Sequence, residues 1–266
     1  MTKIHKHIGV GLLVGACGVA ACALAKKLKL TSRLAEFAHS IEGVPFPGVN
    51  LYSFLASRQL NTMYAQIADD IESGTTHPQI LDLNTNVGLL PIEIAKRNSH
   101  AHVIGIDQSR DMLHIASANA RARHVASRID FHQGDPNNLP FPGRYFDLAI
   151  SVNSLHHWSN PQHIFEEVYH ILKPTGEFRI YDYRADVDEE VWEDALSNLP
   201  VHLQAPFMVG PWASSKAALQ IEKVEDILKS THFEDFKIEE ESLTIYGLEL
   251  PVFWKMTMRK PHQTSE

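Results

Sequence analysis

Apolar residues first recur with the period of a helix, and further along the chain strand-like apolar runs alternate with helical ones. Between Leu51 and Ile71, apolar residues recur every three or four positions, which predicts an amphipathic helix. Short apolar runs then alternate with amphipathic stretches. The predicted strands are QILDL, HVIGID, IDFHQGD, FDLAISV and GEFRIYDY, and the predicted helices are LLPIEIAKR, SRDMLHIASANARAR and PQHIFEEVYHIL. This alternation is typical of a parallel sheet with helices on both faces.

The pattern loosens after Asp182, and residues 184–215 show no sustained period. It resumes with a predicted helix, KVEDILKST, and two strand-like runs, FKIEEESL and PVFWKMTMR. We therefore predict a doubly wound α/β domain over residues 76–260, with a mostly parallel seven-stranded sheet. Residues 31–75 are expected to form a connector and a capping helix, and residues 184–232 an insertion that caps the strand ends and closes a pocket there.

An uncharged apolar run covers residues 8–25, ahead of the predicted domain. As a helix this run would be about 27 Å long, close to the thickness of a bilayer core. We predict that residues 1–30 are a retained transmembrane anchor. Two alternatives stay open: a cleaved signal, including a lipoprotein signal ending at Cys17 or Cys22, and a buried or peripheral helix.

The charges that flank this run predict its orientation. Two lysines precede it, whereas three lysines and an arginine follow it. The positive-inside tendency therefore favours a single-pass membrane protein whose large C-terminal body faces the cytoplasm. Gly11 and Gly15 have the spacing that lets two membrane helices approach closely, which predicts a weak homodimer, although chance spacing is the alternative in a glycine-rich run.

The charge balance limits what the body can bind. Residues 1–33 contain six basic residues and no acidic one, which leaves 18 basic against 32 acidic residues, a net charge of −14, in the remainder. An acidic body gains nothing from counterion release on a phosphate backbone, so we predict no nucleic-acid partner. No histidine spacing indicates a metal site.

Acidic residues follow three successive predicted strands. Asp82 closes the first, Asp107 the second, and Asp135 follows the third. In an open α/β sheet, ligands bind beyond the carboxyl ends of the strands, where Asp107 could accept both hydroxyls of a ribose. Asp135 could accept from an adenine amine. A cofactor with an ammonium group, a ribose and an adenine but no phosphate suits such a set of acids.

The series ILDLNTNVG, VIGIDQSRDML, HQGDPNNLPF, FDLAISVNSLHHW and LKPTGEFRIYD resembles the class I S-adenosylmethionine-dependent methyltransferases, particularly their small-molecule branch. The resemblance covers residues 78–183 and implies a Rossmann-like methyltransferase fold with S-adenosyl-L-methionine as cofactor. The positions that it implies for cofactor binding are Asp82, Asn84, Asn86, Gly88, Asp107, Gln108, Met112, Asp135, Pro136 and Asn153.

The first turn departs from the family pattern, which usually has glycine where this chain has Asn84 and Asn86. Asparagine tolerates a left-handed backbone better than other residues with a side chain, so we predict that the shape of the turn is kept. Its side chains nevertheless project into space that glycine leaves open, which raises the alternative of weakened cofactor binding.

Each acid also has a structural interpretation. Asp82 and Asp107 could cap the helices that follow them, and Asp135 could only stabilise a turn. His156, in the LHHW stretch, is the candidate general base, and the alternative is that it packs against the next helix.

These patterns predict a membrane-anchored methyltransferase that transfers a methyl group to a small, lipophilic acceptor by in-line displacement. The alternative is a catalytically silent, membrane-tethered interaction or regulatory protein with the same fold. A nicotinamide-dependent oxidoreductase is disfavoured, because NTNVG has one glycine and the adjacent Asp82 would repel a pyrophosphate.

Overall fold

The computed structural model describes residues 59–71 and 78–262 of the chain. Its strands are β1 (Gln79–Leu83), β2 (His102–Asp107), β3 (Ile129–Gln133), β4 (Phe146–Val152), β5 (Leu172–Tyr183), β6 (Asp235–Ile245) and β7 (Leu248–Arg259). Its α-helices are α1 (Asn61–Asp70), α2 (Leu89–Arg97), α3 (Arg110–Ala122), α4 (Pro161–Ile171), α5 (Glu189–Asn198), α6 (Val201–Phe207), α7 (Ala213–Ala217) and α8 (Ile221–Lys229).

The seven strands form one sheet in the order β3-β2-β1-β4-β5-β7-β6. Strands β1 to β5 are parallel, whereas β7 runs antiparallel to both β5 and β6. This arrangement confirms the predicted α/β fold with a mostly parallel seven-stranded sheet. The strand order reverses between β1 and β4, and ligands of open α/β sheets bind at such a switch point.

Alternate residues of the central strands supply two apolar layers. On one face, Ile80 and Ile150 belong to a buried cluster with Met63 and Ile67 of α1. On the other face, Leu81 and its neighbours pack with residues of α4 and α8. The strand period of two thus places helices against both faces, and α1 is the part of the predicted 51–71 helix that the structure describes.

The segment at 184–215, predicted to be irregular, is instead helical. Helices α5, α6 and α7 lie there, and a π-helical stretch at Met208–Trp212 separates the last two. Pro206 and Pro211 lie inside these helical stretches and break the apolar period, which is why no sustained helical pattern appears in the sequence.

Aromatic residues of this segment belong to the core. Trp192 and Phe207 are fully buried and their ring centroids lie 5.8 Å apart, while the ring of Trp192 also lies near that of Tyr183 at the end of β5. The segment therefore packs on the strand ends, and its role as a substrate cap stays a prediction.

The predicted anchor at residues 1–30, with Gly11 and Gly15, lies outside the described residues, as does the predicted connector up to residue 58. Across residues 59–71 and 78–262, no helix combines the length and the apolar character needed to cross a bilayer.

Candidate cofactor site

The end of β1 carries a buried acid beside the switch point. Asp82 is 3% exposed, and no cationic side chain in the described ranges forms an ion pair with it. Burial raises the pKa of Asp82 to about 7, the side chain of Thr85 opposes this rise, and the nearby charge of Asp107 adds to it. The two carboxyl groups predicted to share a cleft therefore interact, and a bound cation would favour ionisation of Asp82.

Asp107 connects the turns that follow β1 and β2. One carboxylate oxygen accepts a hydrogen bond from the backbone N–H of Asn86 at 2.9 Å, and the other accepts from the N–H of Ser109 at 2.9 Å. Burial raises the pKa of Asp107, although these backbone donors oppose the rise. A carboxylate has about four acceptor positions, more than these backbone donors occupy, so acceptor capacity remains for a ribose hydroxyl. The capping and the cofactor interpretations of Asp107 are thus compatible.

The two asparagines of the first turn have the backbone conformation predicted for them. Asn84 has φ 57° and Asn86 has φ 54°, both in the left-handed region that favours glycine. The substitution has therefore kept the shape of the turn. The Asn84 side chain also accepts a hydrogen bond through Oδ1 from Nε1 of Trp158 at 3.0 Å.

Gly88 is the N-cap residue of α2 and has φ 76°. A β-carbon at this position would lie 2.8 Å from Cβ of Ala116 in α3 and 2.9 Å from the ring of Phe131 in β3. Glycine is therefore required here for close packing of the start of α2 against α3 and β3, as well as for its left-handed backbone.

The third predicted acid lies on the surface. Asp135 is exposed, and its Oδ1 accepts hydrogen bonds from the backbone N–H and the side-chain amide of Asn137, both at 2.9 Å. The backbone N–H of Asn137 is the main reason that the pKa of Asp135 is lowered. This geometry is that of a turn-stabilising acid. Its adjacent Pro136 is buried, whereas Gln108, at the end of β2, is exposed.

Met112 belongs to the first turn of α3 and is 7% exposed. Its backbone N–H donates to Oγ of Ser109, which caps the helix, and its side chain packs with Val87 and Leu89 from the first turn and α2. Met112 thus forms an apolar wall next to the turn that carries the two asparagines.

Asn153 follows β4 directly, across the switch point from Asp82. It has φ 54°, and its backbone N–H donates to the carbonyl of Tyr181 in β5 at 2.8 Å. Its Oδ1 is buried and has no hydrogen-bond partner in the part of the chain that the structure describes. A buried acceptor without a donor is costly, and a ligand donor at this position would remove that cost.

His156 forms a buried pair with an acid that the sequence analysis did not single out. Its Nδ1 lies 2.7 Å from Oδ1 of Asp182, and the two side chains are 1% and 3% exposed. Asp182 also accepts from the backbone N–H of Leu155 and Tyr183, both at 2.7 Å. Burial opposes ionisation, but the His156 charge and these donors hold the pKa of Asp182 below its usual range.

This geometry favours the packing interpretation of His156, whose general-base role stays a prediction. The signal for Asp182 was present, because it is a further acid near the end of a predicted strand. Its bonds hold the short turn at Leu155–His157 against the end of β5.

The region just described is similar to known proteins. The family profile described as "Methyltransferase domain" matches residues 80–176. Residues 80–176 therefore match a methyltransferase domain, as the resemblance to the class I S-adenosylmethionine-dependent methyltransferases implied. The match runs from β1 into β5 and includes each predicted cofactor position.

Two curated relatives and one solved structure illustrate the similarity. The fatty-acid O-methyltransferase of Mycolicibacterium smegmatis is 32% identical over 110 residues, covering 41% of this chain and 39% of that protein. The demethylmenaquinone methyltransferase of Lactobacillus johnsonii is 31% identical over 103 residues, covering 38% and 42%. The solved SAM-dependent methyltransferase of Aquifex aeolicus has a TM-score of 0.58 at 14% identity, covering 81% of this chain and 99% of that chain.

The chain spans about two fifths of the length of these curated relatives, and the solved structure shows similarity of fold. The shared region is the half of the domain that carries Asp82, Asp107 and Asn153. The helical segment at residues 184–217, part of the predicted cap at 184–232, and the strands β6 and β7 lie beyond the matched profile.

Proposed function

We propose that this protein is an S-adenosylmethionine-dependent methyltransferase that acts on a small, lipophilic acceptor. The observation that carries the proposal is Asp82, a buried carboxyl group at the switch point that has no cationic partner among the described residues. Burial of such a group is unfavourable unless a charge or a hydrogen bond compensates for it. An ammonium group of a bound ligand would be that compensation.

The residues present fit the cofactor. Asp82 would bind its ammonium group, Asp107 its ribose hydroxyls, and Asn153 would use the buried Oδ1 that lacks a partner in the described ranges. Met112 would pack beside the adenosine. S-adenosylmethionine would supply a methyl group already bonded to a good leaving group, so this chain has chiefly to orient the acceptor and exclude water.

A general base is needed only where the acceptor atom carries a proton at neutral pH, as a hydroxyl group does. An amine or a thiol requires less help. His156 is the candidate base, and its burial beside Asp182 means that an acceptor would contact it only after the Leu155–His157 turn moves. A positioning role for the pair requires no such movement.

Two observations support a lipophilic acceptor. The relatives described above are named for a fatty acid and for demethylmenaquinone, both of which are apolar molecules. The uncharged run at residues 8–25 would hold the protein at a bilayer, with its body on the cytoplasmic side, where such acceptors concentrate. In this proposal residues 1–30 are a single-pass anchor, and Gly11 and Gly15 are a contact between two copies.

The test uses radiolabelled S-adenosylmethionine and two sets of acceptors, one dissolved in vesicles and one water-soluble, with the full chain and with a form lacking residues 1–30. We expect label in the vesicle acceptors, and a lower rate for the shortened form on those acceptors alone. Methylation confined to water-soluble acceptors by both forms would contradict the lipophilic assignment.

The second candidate is a catalytically silent, membrane-tethered interaction protein. The asparagines at positions 84 and 86 favour it, because their side chains lie where the family usually has none. Binding without turnover on any acceptor, or no binding at millimolar S-adenosylmethionine, would favour this alternative over the enzyme.

A further inference from the structure

The side chain of Asn84 does more than tolerate a left-handed backbone. Asn84 Oδ1 accepts the hydrogen bond from Trp158 Nε1 at 3.0 Å, which joins the turn after β1 to the loop after β4. A glycine at position 84 could adopt the same φ of 57° but has no atom to accept this bond. The substitution therefore adds a contact that the usual family residue lacks.

The ring of Trp158 is also held by two aromatic rings of the core. It stacks on Phe178 of β5, with centroids 6.5 Å apart and planes 19° apart, and meets the edge of Phe165 of α4 at 6.1 Å. Its orientation is thus set by the core under α4. The indole N–H consequently reaches the turn as a fixed donor, which lowers the entropic cost of the bond to Asn84.

The loop after β4, which includes Trp158, is also held by β5. Asp182 binds the N–H of Leu155 and the ring of His156. The same loop begins with Asn153, whose buried Oδ1 lacks a partner in the described part of the chain. The loop is therefore attached to β5 by Asp182 and to the first turn by Asn84, both at residues that closely follow Asn153 in the chain.

We propose that Asn84 is a positioning residue that acts through Trp158 to hold the loop after β4, and with it Asn153, in the arrangement that accepts the cofactor. The inference rests on the proposed function. Asn84 would then have a role that the usual glycine lacks, because it orders the loop before the ligand binds. Less of the binding free energy is therefore lost in ordering the loop.

The test is a double-mutant cycle on binding of S-adenosylhomocysteine, measured by calorimetry with the full chain. Asn84→Gly removes the acceptor and keeps the left-handed backbone, and Trp158→Phe removes the donor and keeps an aromatic ring on Phe178. We expect each variant to raise the Kd about fivefold, the effect of one net hydrogen bond. The double variant should bind no more weakly than either single variant.

Trp254→Phe is the matched control, because Trp254 Nε1 is buried in β7 without a hydrogen-bond partner among the described residues. This variant should leave the Kd unchanged. Tighter binding by Asn84→Gly, or effects of the two variants that multiply, would overturn the inference and would mean that the amide only obstructs the site.

A second measurement keeps the inference separate from the proposed function. The amides of His157 and Trp158 donate to the carbonyls of Ser154 and Leu155 within the loop, so their hydrogen exchange reports on its order. Both variants should exchange these amides faster than the wild type, with or without ligand. If the wild type binds no ligand, the proposed function fails. Unchanged exchange in the variants would instead refute the claim that the bond between Asn84 and Trp158 orders the loop.

Discussion

Asp82→Asn separates the binding role of the buried acid from its effect on stability. Burial raises the pKa of Asp82 from 3.8 to about 7 in the folded protein. Below pH 4 the carboxyl group is protonated in both the folded and the unfolded chain, and it imposes no penalty. Between pH 4 and pH 7 the unfolded chain ionises first, so folding stability is lost, and the full penalty is present above pH 7.

The size of this penalty follows from the shift. A rise of about three pKa units, at about 1.4 kcal/mol each, lowers the free energy of unfolding by roughly 4 kcal/mol above pH 7. This value is an upper limit for the protein without a bound cation. The isosteric amide cannot ionise. Asp82→Asn should therefore gain stability relative to the wild type as the pH rises, by about 3 kcal/mol between pH 5 and pH 8 in urea unfolding without ligand.

Cofactor binding should change in the opposite direction. Loss of the charge partner of a buried ammonium group costs about 3 kcal/mol, so the Kd for S-adenosylhomocysteine should rise about 100-fold at pH 8. Asp226→Asn on the exposed side of α8 is the control, and it should alter neither quantity. A variant that binds as tightly as the wild type, or a stability difference that is constant with pH, would refute the reasoning.

Three further substitutions test other parts of the site. Asp107→Ala should abolish measurable cofactor binding and lower the free energy of unfolding by about 2 kcal/mol, because two backbone N–H groups lose their acceptor; calorimetry and urea unfolding measure the two effects. Gly88→Ala should cost about 3 kcal/mol in urea unfolding, through the left-handed φ and the contact with Ala116, and a variant as stable as the wild type would contradict this packing. Asp182→Asn should destabilise the protein by about 3 kcal/mol at neutral pH. Because the folded pKa of Asp182 is depressed, this difference should shrink as the pH falls through that pKa, and a difference independent of pH would argue against the ion pair with His156.

The sheet could be predicted because each strand is recognisable from its own short stretch of sequence. Runs such as HVIGID are apolar on both faces, as buried parallel strands are, and each ends at a polar turn. The helices at residues 184–217 could not be predicted in the same way, because Pro206 and Pro211 interrupt their apolar period. Their tolerance depends on the π-helical stretch and on packing against β5, which are tertiary effects.

The site was predictable where backbone geometry alone fixed it. The left-handed φ of Asn84 and Asn86 followed from their residue type in a turn, and the acids of β1 and β2 followed from the strand ends. The contacts that join separate strands could not be read from the sequence. The pairs Asn84–Trp158 and His156–Asp182 connect positions far apart in the chain, and the exposure of Asp135 depends on how its turn closes on Asn137.

Calorimetric titration of the full-length wild type with S-adenosylhomocysteine tests the central claim most directly. The buried acids beside the switch point predict saturable binding to one site per chain, with a Kd in the micromolar range that weakens as the pH falls below 7, because Asp82 then holds a proton. The absence of binding heat at millimolar ligand, at any pH between 6 and 8, would contradict the claim that these strand ends accept an adenosyl ligand that carries an ammonium group.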